Sequence, residues 1–475
     1  MASARFLKRS FATLLTVLVA GCSAPSSLGN PPRMPVAKPV GAPTTSSTAP
    51  ATPSSPTSPS TTAANPTQAN CAGSYERFFA CDASWNRPAS HFGDATGRLA
   101  SYGTRFWKYG GDFVGGNWKP GDINMHFRDY SVPIYDLRTA INGRYRAYQA
   151  IEYQKISMFS PGTRNVTIGQ IIPYNPAWIP GTGTDRLMIA VNPDTGETWE
   201  FGGVNLPLGA FGVNQCSGFL GPNALAPVPF DPGNPTHICF YGMAHYYNLY
   251  AATDGTTIAG RGMGINKMAL LTRASEVARA VANDTSIGHA LEMTLPATMP
   301  GEPICPVNDG RFTDPGAGVS CGTFVSPATF VERAQGTRDW CGPGQRSIHD
   351  PALPSTWLRT VPEGLRIRLE MTDADIVAWL DDRARTNPAY GRGQPLRATA
   401  QAFARTFVEY GAIVAETGCA GIGIETEGLQ GPAKSTWAEL GIVDPSGTNP
   451  YPAGDLLYGL ITEARIRVVQ PPEPR

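Results

Sequence analysis

The alternation of apolar and polar residues is clearest in the middle of the chain, where it predicts a β-hairpin. Leu187, Ile189 and Val191 would share one face of the first strand. Residues 197–201 alternate again, after a Pro-Asp-Thr-Gly sequence at 193–196 that is typical of turns. Two alternating runs joined by such a turn favour antiparallel pairing.

Three further segments predict strands. Residues 287–295 would place His289 on a mostly apolar face and Glu292 on the opposite face. Residues 364–371 alternate in the same way, and residues 412–415 have the composition of a buried strand. Together with the hairpin, these segments indicate a mainly β protein.

Helices are expected to be few. The spacing of apolar positions predicts helices over 272–281, 375–385 and 396–410. We therefore predict an antiparallel β-sandwich of jelly-roll type, with a few short helices, over residues 71–475.

The N-terminus has the pattern of an export signal. Three cations precede an apolar run over residues 11–20, which is too short to remain as a membrane span. Gly21 before Cys22 resembles the bacterial lipobox, which implies cleavage after residues 1–21 and lipid on the Cys22 thiol. The mature protein would then be lipid-anchored in the cell envelope, on the outer side of the plasma membrane or on the outer membrane. The alternative is an ordinary signal peptide with a chance cysteine.

Residues 22–70 are rich in Pro, Ser and Thr and poor in large apolar residues. Such a segment buries too little surface to offset the entropy of ordering, so it predicts a disordered stalk. The folded region would begin near Cys71.

Composition and charge narrow the function classes. Charged residues make up 16% of the chain, and Gly (52) and Pro (44) are abundant, which suits an exported β protein with long loops. Loss of three leader cations would reduce the 38 basic residues to 35, against 38 acidic ones, and no basic patch indicates nucleic acid. The glycine run at 260–264 lacks the strand and helix of a dinucleotide fingerprint, so no cofactor is expected.

The cysteines predict disulfides. Removing Cys22 from the nine leaves eight, an even number in an exported chain. No spacing typical of zinc ligands occurs, so no metal is expected. Many connectivities are open, and the pairs in sequence order are Cys71–Cys81, Cys216–Cys239, Cys305–Cys321 and Cys341–Cys419.

Five stretches between residues 185 and 420 carry a resemblance to known proteins: Asp185-Arg186 and residues 287–291, 324–328, 364–369 and 410–415. In these stretches and their order the chain resembles a widespread family of secreted bacterial proteins with a β-jelly-roll-like core and no assigned activity. The resemblance implies a fold and an export route. Where the family usually has Asp-Arg-His, this chain has Leu187 as the third residue, and where the family has Asp-Asn-Gly, this chain has Glu-Thr-Gly at 416–418.

His289 is the first candidate for catalysis. A histidine on the concave face of a jelly roll could act as a general acid or base, and a buried Asp185–Arg186 pair could orient it. The alternatives are a structural imidazole and a plain ion pair at a strand start.

Carboxylates and arginines offer two other sites. Glycoside hydrolysis needs two carboxyl groups, but no spacing selects a pair. A polysaccharide lyase could instead use His289 with Arg366 and Arg368 to bind substrate, although these arginines also suit a solvated strand face. The candidate carboxylates are Glu292, Glu370, Glu416, Glu425, Glu427 and Asp254.

Aromatic residues support a glycan ligand, because sugar rings stack on flat aromatic side chains. His126 and His245 lie among aromatic residues, which favours packing in loops for both. The leading hypothesis is a lipid-anchored protein that binds or processes a polysaccharide. The alternative is a structural or adhesion lipoprotein without catalytic activity. The candidate platforms are Trp107, Trp118, Trp178 and Trp199.

Overall fold

Three β-sheets and a layer of helices make up the described part of the chain. The computed structural model describes residues 73–109, 123–150, 163–164, 166–167, 169–183, 185–204, 216–217, 234, 236–240, 242–252, 262–295, 298, 323–329, 361–417, 422–443 and 455–473. The signal peptide, Cys22 and the stalk lie outside these residues, so they stay predictions. All described residues belong to one compact unit, 63–475.

The strands form sheets of six, five and four members. The six-stranded sheet has the order β1-β14-β11-β13-β12-β15, and the five-stranded sheet has the order β2-β6-β7-β10-β4. In the third sheet β3 lies between β5 and β8 and also pairs with β9. The strands are β1 (Asn124–His126), β2 (Ile134–Asp136), β3 (Ile141–Ala150), β4 (Thr163–Arg164), β5 (Ile171–Tyr174), β6 (Met188–Val191), β7 (Thr198–Gly202), β8 (Cys216–Ser217), β9 (His237–Phe240), β10 (Gly242–Tyr246), β11 (Leu291–Leu295), β12 (Arg366–Leu369), β13 (Ala412–Thr417), β14 (Gly423–Glu425) and β15 (Ile466–Val468).

The three helices expected from the sequence are present as α3, α4 and α5. Thr372 caps α4, since its hydroxyl accepts a hydrogen bond from the Asp375 N–H and the Asp375 carboxylate accepts one from the Thr372 N–H. Within the described residues, no helix has both the length and the apolar character needed to cross a bilayer. The helices are α1 (Gly97–Ala100), α2 (Tyr102–Tyr109), α3 (Ala274–Asn283), α4 (Asp373–Thr386), α5 (Pro395–Glu409) and α6 (Lys434–Glu439).

The protein is mainly β, as predicted, but its sheets are mixed. The predicted hairpin is confirmed, because β6 and β7 are antiparallel and Ala190 pairs with Trp199. However, β11 is parallel to β13 and β1 is parallel to β14. Parallel neighbours need a crossover rather than a tight turn, so purely antiparallel pairing is wrong for these strands.

The sheets pack face to face, and side chains on opposite faces of one sheet belong to different hydrophobic cores. Leu291 of β11 packs with Phe403 in the core between the six-stranded sheet and the helices. On the opposite face of that sheet, Ile413 shares a second core with Ile189 of the five-stranded sheet. The five-stranded sheet and the third sheet share a third core around Phe240. A polar residue between the first two sheets is therefore enclosed on both sides.

Two of the predicted disulfide cysteines have described side chains. Cys239 is disulfide-bonded, and Cys81 is half-buried. The side chains of the other cysteines lie outside the described residues, so the expected pairing stays a prediction.

Candidate functional site

Three glutamates converge on the face of the six-stranded sheet that meets the five-stranded sheet. Glu292 lies on β11, Glu416 on β13 and Glu425 on β14, and these strands are neighbours in the order β14-β11-β13. One carboxylate oxygen of each residue lies within 4.8 Å of one from each of the others. Leu291 and Met293 point into the core against the helices, so alternation turns Glu292 towards the other sheet. We call these three residues the carboxylate cluster.

A register shift brings Glu416 to the cluster. Met293 pairs with Val414, but the next residue, Thr294, pairs with Glu416, so Ala415 has no direct partner on β11. An extra residue of this kind reverses which face the following side chain occupies. Glu416 therefore joins the face of Glu292, although strict alternation from Val414 would place it among the helices.

The cluster is buried at one end and reaches solvent at the other. Glu292 is 0% exposed and Glu425 is 2% exposed, and the Glu425 N–H donates a 3.0 Å hydrogen bond to Glu292 Oε2. Glu416 is half-buried, with its Oε1 3.3 Å from Lys267 Nζ. The Lys267 backbone N–H donates to Glu200 Oε1 of β7, 2.9 Å away. Lys267 thus connects the cluster to the opposite sheet.

His126 lies beside the cluster on the same face. It is the register partner of Glu425, because β1 runs parallel to β14. A Cβ atom on Gly423 would lie 2.5 Å from both Cε1 and Nε2 of His126 and 2.8 Å from the Thr294 hydroxyl. The imidazole therefore covers Gly423 and approaches Thr294, two residues beyond Glu292 on the same face of β11.

His126 and Thr294 have buried polar atoms without a hydrogen-bond partner among the described residues. These atoms are both ring nitrogens of His126 and the hydroxyl oxygen of Thr294. Burial lowers the pKa of His126, although Glu425 and Asp129 oppose this effect. Burial thus favours the neutral form of the imidazole, which carries a nitrogen lone pair.

The short distances between the three carboxylates determine what the cluster can do chemically. Ionised carboxylates this close together, in a site that excludes most water, repel each other strongly. Their charge must be balanced by protons or by a cation, and Lys267 supplies one positive charge. A shared proton would suit acid–base catalysis, whereas a bound cation would suit metal-assisted chemistry.

His289 lies before β11 and contacts a backbone carbonyl and a carboxylate. Gly288 has φ +103° and β11 begins only at Leu291, so the regular alternation that placed His289 on the face of Leu291 does not extend to it. His289 Nδ1 donates to the Ala290 carbonyl at 2.8 Å, and Nε2 lies 3.5 Å from Glu276 Oε2. It lines a small cavity that Met268 also lines. These contacts hold the imidazole in place.

Glu276 belongs to a second group of buried charges, at the start of α3. Its Oε1 accepts from Arg273 Nη2 at 2.9 Å. Burial alone would raise the pKa of Glu276, but Arg273 and His289 outweigh it and hold that pKa below 4.5. Burial also raises the pKa of Glu427 to about 7, and Glu427 accepts the Ala274 N–H at 3.0 Å. These contacts anchor the N-terminus of α3 to the sheet.

Asp185 and Arg186 lie in the turn that leads into β6. Arg186 has φ +41°, and its Nε donates to the Val204 carbonyl at 2.6 Å. The Asp185 carbonyl accepts the Gly203 N–H at 2.7 Å. Neither residue is among those that line the His289 cavity. The structure does not join the three predicted catalytic residues there, and their role stays a prediction.

The two predicted substrate-binding arginines contact the protein itself. Arg366 is 5% exposed, and its guanidinium donates to three backbone carbonyls. Arg368 makes two hydrogen bonds to the Asp94 carboxylate, of 2.8 and 2.7 Å. Both side chains attach the N-terminal part of the fold to β12, and substrate binding by them stays a prediction. The carbonyls that Arg366 reaches are those of Ser84, Arg87 and Tyr410.

The other described candidates, Glu370, Trp107, Trp178 and Trp199, are not members of the carboxylate cluster. Glu370 pairs with Arg467 at the surface. Trp178 and Trp199 are buried, so their faces are closed to a sugar, and Trp107 is half-buried. Asp254 and Trp118 lie outside the described residues.

His126 and Lys267 are the site residues that the sequence pattern gives no reason to select. Their spacing matches no motif, and each reaches the cluster only through the pairing of distant strands or loops. His126 was expected to pack in a loop, but it lies on the short strand β1.

Comparisons with known protein families, curated proteins and solved structures found no match to this chain.

Proposed function

We propose that the protein is a lipid-anchored enzyme of the cell envelope that processes a glycan at the carboxylate cluster. The observation that carries this proposal is the convergence of Glu292, Glu416 and Glu425. All three were among the six carboxylates that the sequence offered for glycan chemistry. Cleavage of a glycosidic bond uses two carboxyl groups held a few ångströms apart, and the three carboxylates of the cluster lie within such distances of one another, which supports the proposal.

The approach of a substrate is from the Glu416 end. The Glu416 side chain is 21% exposed and that of Lys267 is 10% exposed, whereas Glu292 is fully enclosed. We assign substrate contact to Glu416 and Lys267. Glu292 and Glu425 then determine the electrostatic environment of Glu416, and a reaction at a polar bond depends on such an environment.

The activity is tested with polysaccharides extracted from the envelope of the producing cells. Release of reducing ends or of unsaturated products by the purified protein would be followed over time. Glu292→Gln keeps the size of the side chain but removes its charge, and should lower turnover by about 100-fold. Glu370→Gln, at a surface glutamate that directly follows β12 of the same sheet, is the matched control and should keep wild-type turnover. Equal turnover by Glu292→Gln, or no turnover of any envelope glycan by the wild type, would reject the proposal.

The anchor is tested separately from the chemistry. The leader pattern and Cys22 support it, together with the resemblance to secreted jelly-roll-like proteins. Mass spectrometry of the mature N-terminus should find a diacylated or triacylated cysteine, and Cys22→Ser should release the protein from the membrane fraction. An unmodified N-terminus at another residue would contradict the anchor.

A further inference from the structure

The carboxylate cluster brings three negative charges together when its members are ionised. Among the described residues, the Lys267 ammonium lies 3.3 Å from Glu416. Burying like charges side by side is costly unless cations accompany them. A divalent cation between the carboxylates would lower that cost.

Two further side chains face this cluster with unused polar atoms. His126 is 6% exposed and Thr294 is 8% exposed. Within the described residues, both His126 ring nitrogens and the Thr294 hydroxyl lack hydrogen-bond partners. Buried polar groups are nearly always satisfied, so atoms of this kind beside a charged cluster indicate a ligand. This observation is independent of the acidic residues themselves.

We propose that Glu292, Glu416 and Glu425 bind one divalent transition-metal ion, such as Mn²⁺ or Zn²⁺, with His126 as the nitrogen ligand. This metal site is the same carboxylate cluster that carries the proposed function, and the inference rests on that function only for the choice of this cluster. The metal would supply the positive charge that a reacting polar bond needs next to Glu416.

The spacing of the carboxylates suits an ion of this size. Oxygen ligands about 2.1 Å from a metal lie about 4.2 Å apart when they are on opposite sides of it. The three carboxylate oxygens already lie within 4.8 Å of one another, so small side-chain rotations would complete the contacts. Imidazole nitrogen favours transition metals, whereas Ca²⁺ prefers six to eight oxygen ligands.

Gly423 makes room for the nitrogen ligand. Because any larger residue would place a Cβ atom 2.5 Å from the His126 ring, only glycine lets the imidazole approach β14 this closely. The same opening keeps the ring between Glu425, its register partner, and Thr294.

The test is equilibrium dialysis of the EDTA-stripped full-length protein against Mn²⁺. The wild type should bind one Mn²⁺ per chain, and Glu292→Gln and His126→Gln should each weaken binding by about tenfold or more. Glu427→Gln is the matched control, because Glu427 is also buried, lies two residues from Glu425 and bonds to the start of α3 instead. It should bind Mn²⁺ as the wild type does.

A second measurement, the unfolding temperature, separates loss of metal binding from loss of folding. The unfolding temperature of each variant shows that it is folded, and Mn²⁺ should raise that of the wild type and of Glu427→Gln only. If Glu292→Gln does not fold, His126→Gln carries the test. No binding by the wild type at millimolar Mn²⁺, or equal binding by wild type and His126→Gln, would overturn the inference.

Measurements of metal binding and of glycan turnover distinguish failure of the metal site from failure of the proposed function. Binding of Mn²⁺ by a protein that turns over no envelope glycan would support the metal site and reject the proposed function. Full turnover after removal of all metal would support the proposed function and reject a part for the metal in that reaction, while the dialysis result alone decides whether the site binds the metal.

Discussion

The backbone N–H of Glu425 donates a 3.0 Å hydrogen bond to the side-chain carboxylate of Glu292, across two neighbouring antiparallel strands. This bond holds one fully buried carboxylate against the strand that carries another. The arrangement opposes electrostatic repulsion, so it needs the rigid sheet to maintain it. Buried groups whose arrangement lowers the stability of the fold are typical of functional sites and not of residues that only pack the core.

We expect Glu292→Gln to stabilise the metal-free protein. The substitution removes one buried negative charge while leaving an oxygen to accept the Glu425 N–H. In EDTA, the free energy of unfolding from urea titrations should rise by about 1 kcal/mol. A fall in that free energy would mean that the carboxylates do not repel each other in the folded state.

We expect Gly423→Ala to destabilise the fold. Its Cβ would lie 2.5 Å from His126, so the ring must move, at a cost of about 2 kcal/mol in urea titrations. Gly103→Ala in α2 is the control, because its Cβ would meet the nearest methyl groups at ordinary distances of 3.4 and 3.5 Å. That change should be neutral or stabilising. Equal effects of the two substitutions would show that His126 does not occupy this position.

Arg366 and Arg368 should differ sharply when each is replaced by alanine. Arg366→Ala removes a donor from three backbone carbonyls, of which Ser84 keeps the Arg87 N–H, and should cost about 3 kcal/mol of unfolding free energy. Arg368→Ala removes only a partly exposed ion pair with Asp94 and should cost about 0.5 kcal/mol. If Arg368→Ala instead leaves stability unchanged but abolishes glycan binding, the substrate role expected from the sequence is correct.

Glu276 should make stability depend on acid pH. Its folded-state pKa lies below the ordinary 4.5, so the ion pair with Arg273 stabilises the protein fully above about pH 5. That contribution is lost as pH falls below 4.5, because the unfolded chain then binds a proton that the folded chain does not. Glu276→Gln should therefore cost about 3 kcal/mol at pH 7 and much less at pH 3. A cost that is independent of pH would contradict the ion pair.

The local structure was largely predictable from the sequence. The hairpin of β6 and β7 and the helices α3, α4 and α5 follow from apolar periodicity and from turn or capping residues. The mixed sheet was not predictable, because the pairing of β11 with β13 joins segments about 120 residues apart. Alternation within one strand carries no information about its neighbours.

The site was predictable only in part, for the same physical reason. Glu292, Glu416 and Glu425 could be named as candidate carboxylates, but only the strand order brings them together. The register shift that turns Glu416 inward has no signature in the sequence. At His289, the left-handed Gly288 breaks the alternation on which the prediction depended.

The most direct test of the carboxylate cluster as the functional centre is anomalous X-ray scattering from crystals of the full-length protein soaked in Mn²⁺. The account predicts one strong peak, about 2.2 Å from carboxylate oxygens of Glu292, Glu416 and Glu425 and from a nitrogen of His126. A map with no peak between these side chains, in crystals where they are well ordered, would contradict it.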